Sequence, residues 1–429
     1  MLLINVADPW LTKGGDRPAL GTLYIAAYAR SKGFCVDVMD MNHHTDKDLS
    51  DYLDQNKPKM VGISMTTPQF REGKRVAKLI KELMPSCKII AGGAHPTAVK
   101  GQMPSEFDYI VTGEGEETVV KLLRGVCPLN RVIQGEGIPG SEKTLDIQPL
   151  PARDLVNMDK YSLKIMGKKA TTMMTSLGCP FHCSFCSEPI LSNRFRGRSP
   201  SLVVDEMEFL RDKYEIEGLI IYDDVYTINP KRCIEIAEQM QKRNINMTYR
   251  ATTRANLVVK AGLLDALKAT GCVELCLGVE SGSNTILKNN DKGMDRETNA
   301  NAIRAIKAAG IKVLTYMIIG LPGETPETVQ ESRDFVEELD PDECSWYLLA
   351  PFPSTPLWLF RDKFDITIYE DEIIEHDWNV CQAQRNNEDI IPYIRTAACS
   401  REELKSLWLS SMNDWNQKKK VRIQDVEKP

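Results

Sequence analysis

Three cysteines lie close together in a chain whose other cysteines are scattered. Cys179, Cys183 and Cys186 have the spacing C-x3-C-x2-C. Thiolates are preferred ligands of iron–sulfur clusters and of zinc. A structural zinc site needs four ligands, and His182 would have to fold back between two of the cysteines to supply one. Three thiolates on a four-iron cluster leave one iron open to a substrate. We therefore predict a [4Fe–4S] cluster rather than zinc or a chance grouping of buried cysteines.

Composition limits the classes of protein that this chain could represent. It has 429 residues, enough for two or three domains, and a formal net charge of -6. Nucleic-acid binders usually carry a basic excess, so we expect no nucleic-acid partner. No apolar run approaches a membrane span, and the amino terminus does not resemble a signal peptide. We expect a cytoplasmic protein, in which twelve cysteines are not a disulfide framework.

The cysteine segment follows a predicted strand that opens a region of alternating strands and helices. The predicted strands are 170–177, 218–224, 247–253, 273–280, 312–320 and 345–350. Helical patterns separate them, which gives six β/α units, fewer than the eight of a closed barrel. The sequence predicts a partial (β/α)6 barrel of the TIM type over 169–360. A small mixed region, 361–429, is expected to shape the substrate site.

Residues 1–125 also alternate between strands and helices. The predicted strands are 2–6, 35–39, 60–64, 88–91 and 109–111. Buried apolar strands separated by helices favour a parallel, doubly wound Rossmann-like sheet of the α/β class. Ligands of such sheets bind at the carboxyl ends of the strands, where loops here are rich in glycine and small polar residues. Glycines and prolines break any period in 126–168, which we interpret as a linker.

The cysteine motif, with an aromatic residue just before its last cysteine and a partial barrel after it, resembles the radical S-adenosylmethionine (SAM) superfamily. Segments 222–224, 278–282 and 319–324 support the likeness, because all three lie at predicted strand ends. The resemblance implies that Asp223 and Asp224 stand where the family contacts the methionine amino group of SAM, and that Glu280 contacts the ribose of SAM. Arg254 could pair with the SAM carboxylate. The implied SAM-binding residues are Phe185, Asp223, Asp224, Arg254, Glu280, Ser281, Ile319 and Gly320.

The first 125 residues resemble the cobalamin-binding domain that precedes the barrel in one radical SAM class. The matching segments are 18–21, 62–67, 92–97 and 108–116. The resemblance implies cobalamin contacts from Asp8, Trp10, Ser64, Thr66, Thr67, Gly92, Gly93, His95, Gly113, Glu114, Gly115 and Glu117. Many cobalamin domains carry Asp-x-His-x-x-Gly after the first strand. Here Trp10 replaces that histidine, so we expect no protein histidine below the cobalt. The alternative is a domain that has lost cobalamin and only shapes the substrate pocket.

The resemblance implies a cobalamin-dependent radical SAM methyltransferase acting on an unactivated carbon of a small molecule or of a natural-product or lipid intermediate. A 5′-deoxyadenosyl radical would remove a hydrogen atom, and methylcobalamin would supply the methyl group. The implied cofactors are a [4Fe–4S] cluster, SAM and cobalamin, reduced by a donor such as flavodoxin or ferredoxin. One alternative is a cyclase, oxidase or rearrangement enzyme with the same domains. The other is a non-catalytic iron–sulfur electron carrier or binding module. We identify no acid–base pair, and we expect Cys272, Cys276 and Cys344 to be structural.

Overall fold

The computed structural model describes most of the chain as two sheets with helices packed on them. The described residues are 1–8, 15–100, 102–126, 128–187, 192, 194–378 and 390–426, with side chains up to 419. Trp10 therefore lies outside the described residues. The fold is of the α/β class, as predicted. The domain limits at 125, 168 and 360 stay a prediction.

The first sheet has six parallel strands in the order β2-β1-β3-β4-β5-β6. They are β1 Leu2–Asn5, β2 Asp37–Asp40, β3 Met60–Ser64, β4 Lys88–Gly92, β5 Tyr109–Thr112 and β6 Val132–Gln134. Its helices are α1 Leu20–Ser31, α2 Asp46–Asn56, α3 Phe70–Leu83, α4 Ala94–Val99 and α5 Glu116–Leu123. The doubly wound sheet is confirmed. Its last strand, β6, lies in the segment that the sequence predicted as a linker. The sequence did not reveal this strand because it is only three residues long and mostly exposed, and so has no buried apolar run.

The second sheet has seven strands in the order β15-β14-β13-β12-β11-β8-β7, and all pairs are parallel except β7 with β8. The strands from 164 onward are β7 Lys164–Ile165, β8 Lys168–Met173, β9 Ser176–Leu177, β10 Arg196–Gly197, β11 Gly218–Ile221, β12 Thr248–Thr253, β13 Cys272–Glu280, β14 Lys312–Ile319 and β15 Glu343–Leu348. Strands β9 and β10 form a separate antiparallel pair. The helices are α6 Pro200–Tyr214, α7 Pro230–Lys242, α8 Ala255–Val258, α9 Leu263–Ala269, α10 Asn284–Asn289, α11 Arg296–Ala308 and α12 Pro326–Leu339. Six parallel strands in an open, curled sheet confirm the partial barrel.

The C-terminal region covers the open edge of the second sheet. Its elements are α13 Pro356–Leu359, β16 Ile366–Ile368, α14 Glu370–Glu375, β17 Ile394–Thr396 and α15 Arg401–Val426. The indole of Trp408 on α15 is fully buried and donates to the backbone oxygen of Trp346 on β15 at 2.9 Å. No helix in the described part of the chain is long and apolar enough to cross a membrane.

A dry ion-pair network joins the segment before β7 to the second sheet. Arg153 and Glu206 have side chains that are 0% and 1% exposed, with Arg153 Nη2 3.5 Å from Glu206 Oε1. Arg198 donates to the other oxygen of Glu206, and Arg153 donates to the backbone oxygen of Thr172 at 2.7 Å. One carboxylate is thus shared by two buried guanidinium groups, which would be more costly to bury without it.

We expect Glu206→Gln to lower the free energy of unfolding by about 3–5 kcal/mol, because it leaves two buried guanidinium groups without a counter-charge. Urea unfolding measures the change. The matched control is Glu208→Gln on the same helix, whose ion pair with Arg243 is partly exposed and contributes less than about 1 kcal/mol. Equal losses in the two variants would contradict the network's importance.

Candidate functional site

The cysteine loop begins directly after β9, at a position that only glycine can occupy. Gly178 has φ +91°, and a Cβ there would lie 2.2 Å from the backbone oxygen of Arg194. The next amide, that of Cys179, donates to the backbone oxygen of Ser192 at 3.1 Å. The loop therefore leaves the strand at a sharp, fixed turn. This turn delivers the first cysteine to the carboxyl end of the sheet.

The three cysteines of the motif lie at this edge as thiols rather than in disulfides. Cys179 and Cys183 are buried and Cys186 is partly buried. Burial raises the pKa of Cys179. No three metal-ligating side chains converge on one point within the described residues. In a four-iron cluster, three thiolates bind three different irons. The three cysteines of the motif can therefore supply the protein ligands of a cluster with one open iron.

A buried arginine lies against the cysteine loop. Arg254, at the carboxyl end of β12, has Nη1 3.5 Å from Cys183 Sγ and donates from Nη2 to the backbone oxygen of Lys292 at 2.5 Å. Its guanidinium carbon sits 3.7 Å above the Phe181 ring. Its Nε has no hydrogen-bond partner among the described residues. A fixed cation with a spare donor beside buried thiols suits an anionic cofactor.

The two aspartates after β11 hold the chain that leads into the cysteine loop. Asp223 is buried and accepts from the amide and hydroxyl of Thr175, both at 2.6 Å, and from the Ser176 hydroxyl at 2.5 Å. Asp224 accepts from the Gly178 amide at 2.8 Å. The sequence predicted that this pair contacts SAM. The structure gives both residues a positioning contact that the sequence did not reveal.

Ser184 and Asn290 form a second attachment, which sequence reasoning missed. The amide of Ser184 donates to the Asn290 backbone oxygen at 3.1 Å, and its hydroxyl donates to Asn290 Oδ1 at 2.9 Å. Asn290 Nδ2 donates to the Pro322 backbone oxygen at 3.3 Å, in the loop after β14. Phe185, beside Ser184, packs partly buried against the core. No motif contains Asn290, so only the fold brings it to the cysteines.

Glu280 ends β13 in a strained conformation. It has φ +70°, which is unusual for a residue with a side chain, and the strand register is irregular between Gly278 and Glu280. Glu280 Oε1 accepts from Lys292 Nζ at 2.8 Å, and both are largely buried. A Cβ on Gly278 would lie 2.5 Å from that carboxylate. Ser281 points to α12 instead, where its hydroxyl meets Ser332 at 3.0 Å.

The loop after β14 is organised by a buried glutamate. Glu324 Oε2 accepts from the amides of Gly320 and Leu321 at 2.8 and 3.2 Å. Burial raises the pKa of Glu324 to about 7. Ile319 is fully buried at the end of the strand, and Thr396 of the C-terminal region donates to the Glu324 backbone oxygen at 3.1 Å. The predicted SAM residues Ile319 and Gly320 thus lie where the strand meets a loop that is held by the Glu324 carboxylate and by Thr396.

The first sheet has a narrow slot of about 50 Å³ among its strands. Among its lining residues are Ser64, Gly92, Gly93, Gly113 and Gly115, all predicted from the sequence as cobalamin contacts. A Cβ added at Gly92 would meet nothing within 4 Å, so a larger side chain there would grow into open space. The remaining walls are mostly apolar. The slot suits a flat apolar group inserted edge-on against the sheet.

A larger cavity of about 630 Å³ adjoins the slot at Gly113, which lines both. Glu114 on its wall accepts two hydrogen bonds from Arg196 of β10, one of them at 3.1 Å. A Cβ on Gly137 would lie 2.3 Å from the Glu114 carboxylate. Glu117 is not among the lining residues and instead accepts from the Tyr28 hydroxyl of α1 at 2.6 Å.

His95 is buried away from solvent. Its Nδ1 lies 3.3 Å from the Thr67 hydroxyl, and its ring packs 4.4 Å from Phe70 and 5.5 Å from Trp378 of the C-terminal region. Burial lowers the pKa of His95 to about 3, so the ring is neutral. The predicted contact residues His95 and Thr67 therefore meet one another and join the first domain to the C-terminal region.

The remaining predicted contacts lie in two loops of the first domain. Thr66 caps the turn before α3 by bonding with Gln69, its hydroxyl 3.0 Å from Oε1. The Asp8 amide donates to Asn42 Oδ1 at 3.4 Å, which places Asp8 at the carboxyl end of β1. The predicted contact residue Trp10 lies outside the described residues.

Comparison with known proteins finds one family model that matches much of each sheet. The family model for the B12 binding domain matches residues 11–123, and the model for the Radical SAM superfamily matches residues 173–336. The cysteine motif and the strand ends from 222 to 324 all fall inside the second match. The cobalamin contacts predicted from Ser64 to Glu117 all fall inside the first.

Relatives cover nearly the whole chain. An uncharacterized methyltransferase of Pyrococcus horikoshii is 29% identical over 432 residues, which is 96% of this chain and 91% of that protein. An anaerobic magnesium-protoporphyrin IX monomethyl ester cyclase of Rubrivivax gelatinosus is 28% identical and covers 83% of this chain and 68% of its own length. A radical S-adenosylmethionine methyltransferase from Kitasatospora setae, solved with cobalamin and a [4Fe–4S] cluster, has the same fold, with TM-score 0.69 and 19% identity over 87% of this chain and 78% of that chain.

We expect ionisation of Glu324 to lower the stability of the protein as the pH rises, while the buried His95, whose pKa is about 3, contributes in the opposite direction. The pKa of Glu324 is about 7 in the folded chain and ordinary when unfolded, so ionisation costs about 2–3 kcal/mol of unfolding free energy between pH 5 and pH 8. Glu324→Gln keeps an oxygen to accept from Gly320 and Leu321 but cannot ionise. Urea unfolding at both pH values should therefore show the wild type losing about 2–3 kcal/mol relative to the variant between pH 5 and pH 8. The same pH dependence in both proteins would contradict the ionisation of Glu324.

Proposed function

Since this chain belongs to the radical SAM enzymes with a B12-binding domain, we propose that it transfers a methyl group to a carbon atom of a small molecule. One observation carries the proposal. The same chain presents a cysteine loop buried against Arg254 and a glycine-lined slot that suits a flat cofactor group. The methyltransferase of Pyrococcus horikoshii, similar along nearly its full length, supports methyl transfer as the outcome.

The residues of the barrel would hold and shield the cluster and SAM. Cys179, Cys183 and Cys186 would each bind one iron, and Arg254 would compensate the negative charge of the thiolates. Glu280, held by Lys292, would present a fixed carboxylate to the SAM ribose. The remaining proposed SAM contacts are Phe185, Asp223, Asp224, Ser281, Ile319 and Gly320. The engaged oxygens of Asp223 and the inward hydroxyl of Ser281 favour positioning roles for those two residues.

The residues of the first domain would hold cobalamin. The slot at Gly92, Gly93 and Gly113 would take its flat apolar portion, and the adjoining polar cavity beside Glu114 would take polar parts of the cofactor. When bound, the cluster, SAM and cobalamin supply the radical and the methyl group. The protein orients them and excludes water. Asp8 and Trp10 remain our candidates for the loop below the cobalt.

The chain would also need an electron donor, and we propose a flavodoxin or ferredoxin in the cytoplasm. The support is chemical, because free buried thiols such as Cys179 and Cys183 persist in a reducing compartment. Residues 361–429 would shape the substrate site, since Thr396 contacts the loop after β14.

A second candidate function is ring closure without methyl transfer. The similarity to the anaerobic cyclase of Rubrivivax gelatinosus favours it.

Isotopic labelling tests the proposal without knowledge of the substrate. Anaerobic holoprotein, reduced and supplied with SAM carrying a trideuterated methyl group, should place that group on the extracted cobalamin and release 5′-deoxyadenosine. Mass spectrometry measures both. Cys183→Ala should lose the cluster iron and both products, whereas Cys35→Ser, at an exposed thiol of the first domain, should keep them. Release of 5′-deoxyadenosine with unlabelled cobalamin would favour the cyclase, and neither product would favour an electron carrier.

We expect Gly92→Leu to reduce cobalamin retention at least tenfold. The backbone there accepts a side chain, and the new isobutyl group would occupy the open slot. Cobalt content after gel filtration measures retention, and iron content shows that the second domain is intact. Gly21→Leu is the matched control, because Gly21 is an exposed position of α1 with equally open surroundings. Full cobalt content in the Gly92 variant would place cobalamin outside the slot.

A further inference from the structure

The concave face of the second sheet carries a row of polar side chains. Arg250 on β12 is in register with Glu274 on β13, and neighbours in register point to the same face of a parallel sheet. Cys276 lies two residues further on, again on that face. The intervening Ala251 and Leu275 are fully buried in the core on the opposite, helix-covered face. The polar row therefore faces the lumen of the open barrel.

These side chains contact one another. Arg250 Nη2 lies 3.1 Å from Glu274 Oε1 and 3.8 Å from Cys276 Sγ. Burial and the neighbouring Cys276 raise the pKa of Tyr316 on β14, and the ring centroid of Tyr316 is 5.8 Å from that of Tyr347 on β15. We call Arg250, Glu274, Cys276, Tyr316 and Tyr347 the lumen cluster. The sequence placed Cys276 with Cys272 and Cys344 as a structural thiol. Cys276 is buried like those two, but it lies outside the hydrophobic cluster that contains them.

The charged side chains of the lumen cluster are more exposed than those of the structural ion pair described above. The side chains of Arg250 and Glu274 are 34% and 18% exposed, whereas the structural pair Arg153 and Glu206 is dry. Tyr222, which follows β11 on the same face, is 61% exposed although Ile221 before it is buried. A filled barrel interior would bury all of these groups. The lumen cluster therefore borders open space that a ligand can occupy.

We propose that the lumen cluster binds a neutral polar group, such as an amide or hydroxyl, carried on a flat ring of the substrate. The inference rests on the proposed function and names a substrate class for it. Arg250 and Tyr316 supply donors, Glu274 supplies an acceptor, and the rings of Tyr316 and Tyr347 supply flat apolar faces.

The charges around the lumen cluster favour a neutral ligand group over an anionic one. The charge of Arg250 is already balanced by Glu274, and Lys292 at the carboxyl end is balanced by Glu280. Burial raises the pKa of Cys276, so its thiol stays neutral. A carboxylate or phosphate entering beside Arg250 would meet the carboxylate of Glu274, and Arg250, the cation of the lumen cluster, is already paired with it. Such a like-charge contact disfavours an anion and selects a neutral isostere.

Benzamide and benzoate provide a matched pair of probes, since they share a ring and differ in charge. Saturation-transfer NMR titrations with the anaerobic full-length holoprotein should show benzamide binding at least tenfold more tightly than benzoate. Tyr316→Phe should weaken benzamide at least fivefold. Tyr52→Phe removes a hydroxyl that bonds Asp37 in the first domain and should change nothing. Absence of benzamide binding, equal binding of benzoate, or an unaffected Tyr316→Phe variant would overturn the proposal.

A second variant makes the test independent of whether the Tyr316→Phe variant folds correctly. The double variant Arg250→Gln and Glu274→Gln removes both charges and keeps side-chain size, so discrimination between the probes should fall below threefold. Discrimination that stays tenfold would overturn the role of Glu274. The labelling of cobalamin needs no substrate and is scored separately on the wild-type protein. Labelled cobalamin without benzamide binding would reject this inference alone, and the reverse result would reject the methyltransferase alone.

Discussion

The attachment of the cysteine loop to the strand ends is the constraint on which the rest of the site depends. Buried Asp223 accepts three hydrogen bonds from Thr175 and Ser176, and Asp224 holds the amide of Gly178. A buried carboxylate is stable only when such donors compensate its lost hydration. The same bonds fix the start of the loop to β11. Three thiols separated by short, flexible spacers could not otherwise keep a constant mutual geometry.

Further contacts extend that constraint to the neighbouring strands. Asn290 connects the cysteine loop to the loop after β14, and Arg254 connects it to the segment after α10 through the Lys292 backbone. Each of these side chains is buried, so a lost partner would leave an uncompensated polar group. The site is therefore built as one connected hydrogen-bonded unit. A displacement at one strand end would be felt at the cysteines.

Three groups of oppositely charged side chains lie at different levels of the second sheet. Arg153 and Arg198 share Glu206 at the junction, Arg250 pairs with Glu274 in the lumen, and Lys292 pairs with Glu280 at the carboxyl end. Only the first group is entirely dry. Complete burial of an ion pair favours a purely structural role, whereas partial exposure leaves its donors and acceptors accessible to a ligand. The degree of burial thus divides chemically similar pairs into stabilising and binding elements.

The sequence by itself determined the two alternating sheets, the cysteine motif and the glycine-rich loops, because hydrophobic periodicity and short-range spacing are local properties. It did not reveal β6, whose three residues lack a buried apolar pattern. Only the tertiary structure brought Asn290 to Ser184, turned Ser281 toward α12 and set Cys276 among polar side chains. Those outcomes depend on strand register and on contacts between residues far apart in the chain. Such contacts leave no local pattern, since the partner that satisfies a buried polar group is chosen by the packing of the whole fold.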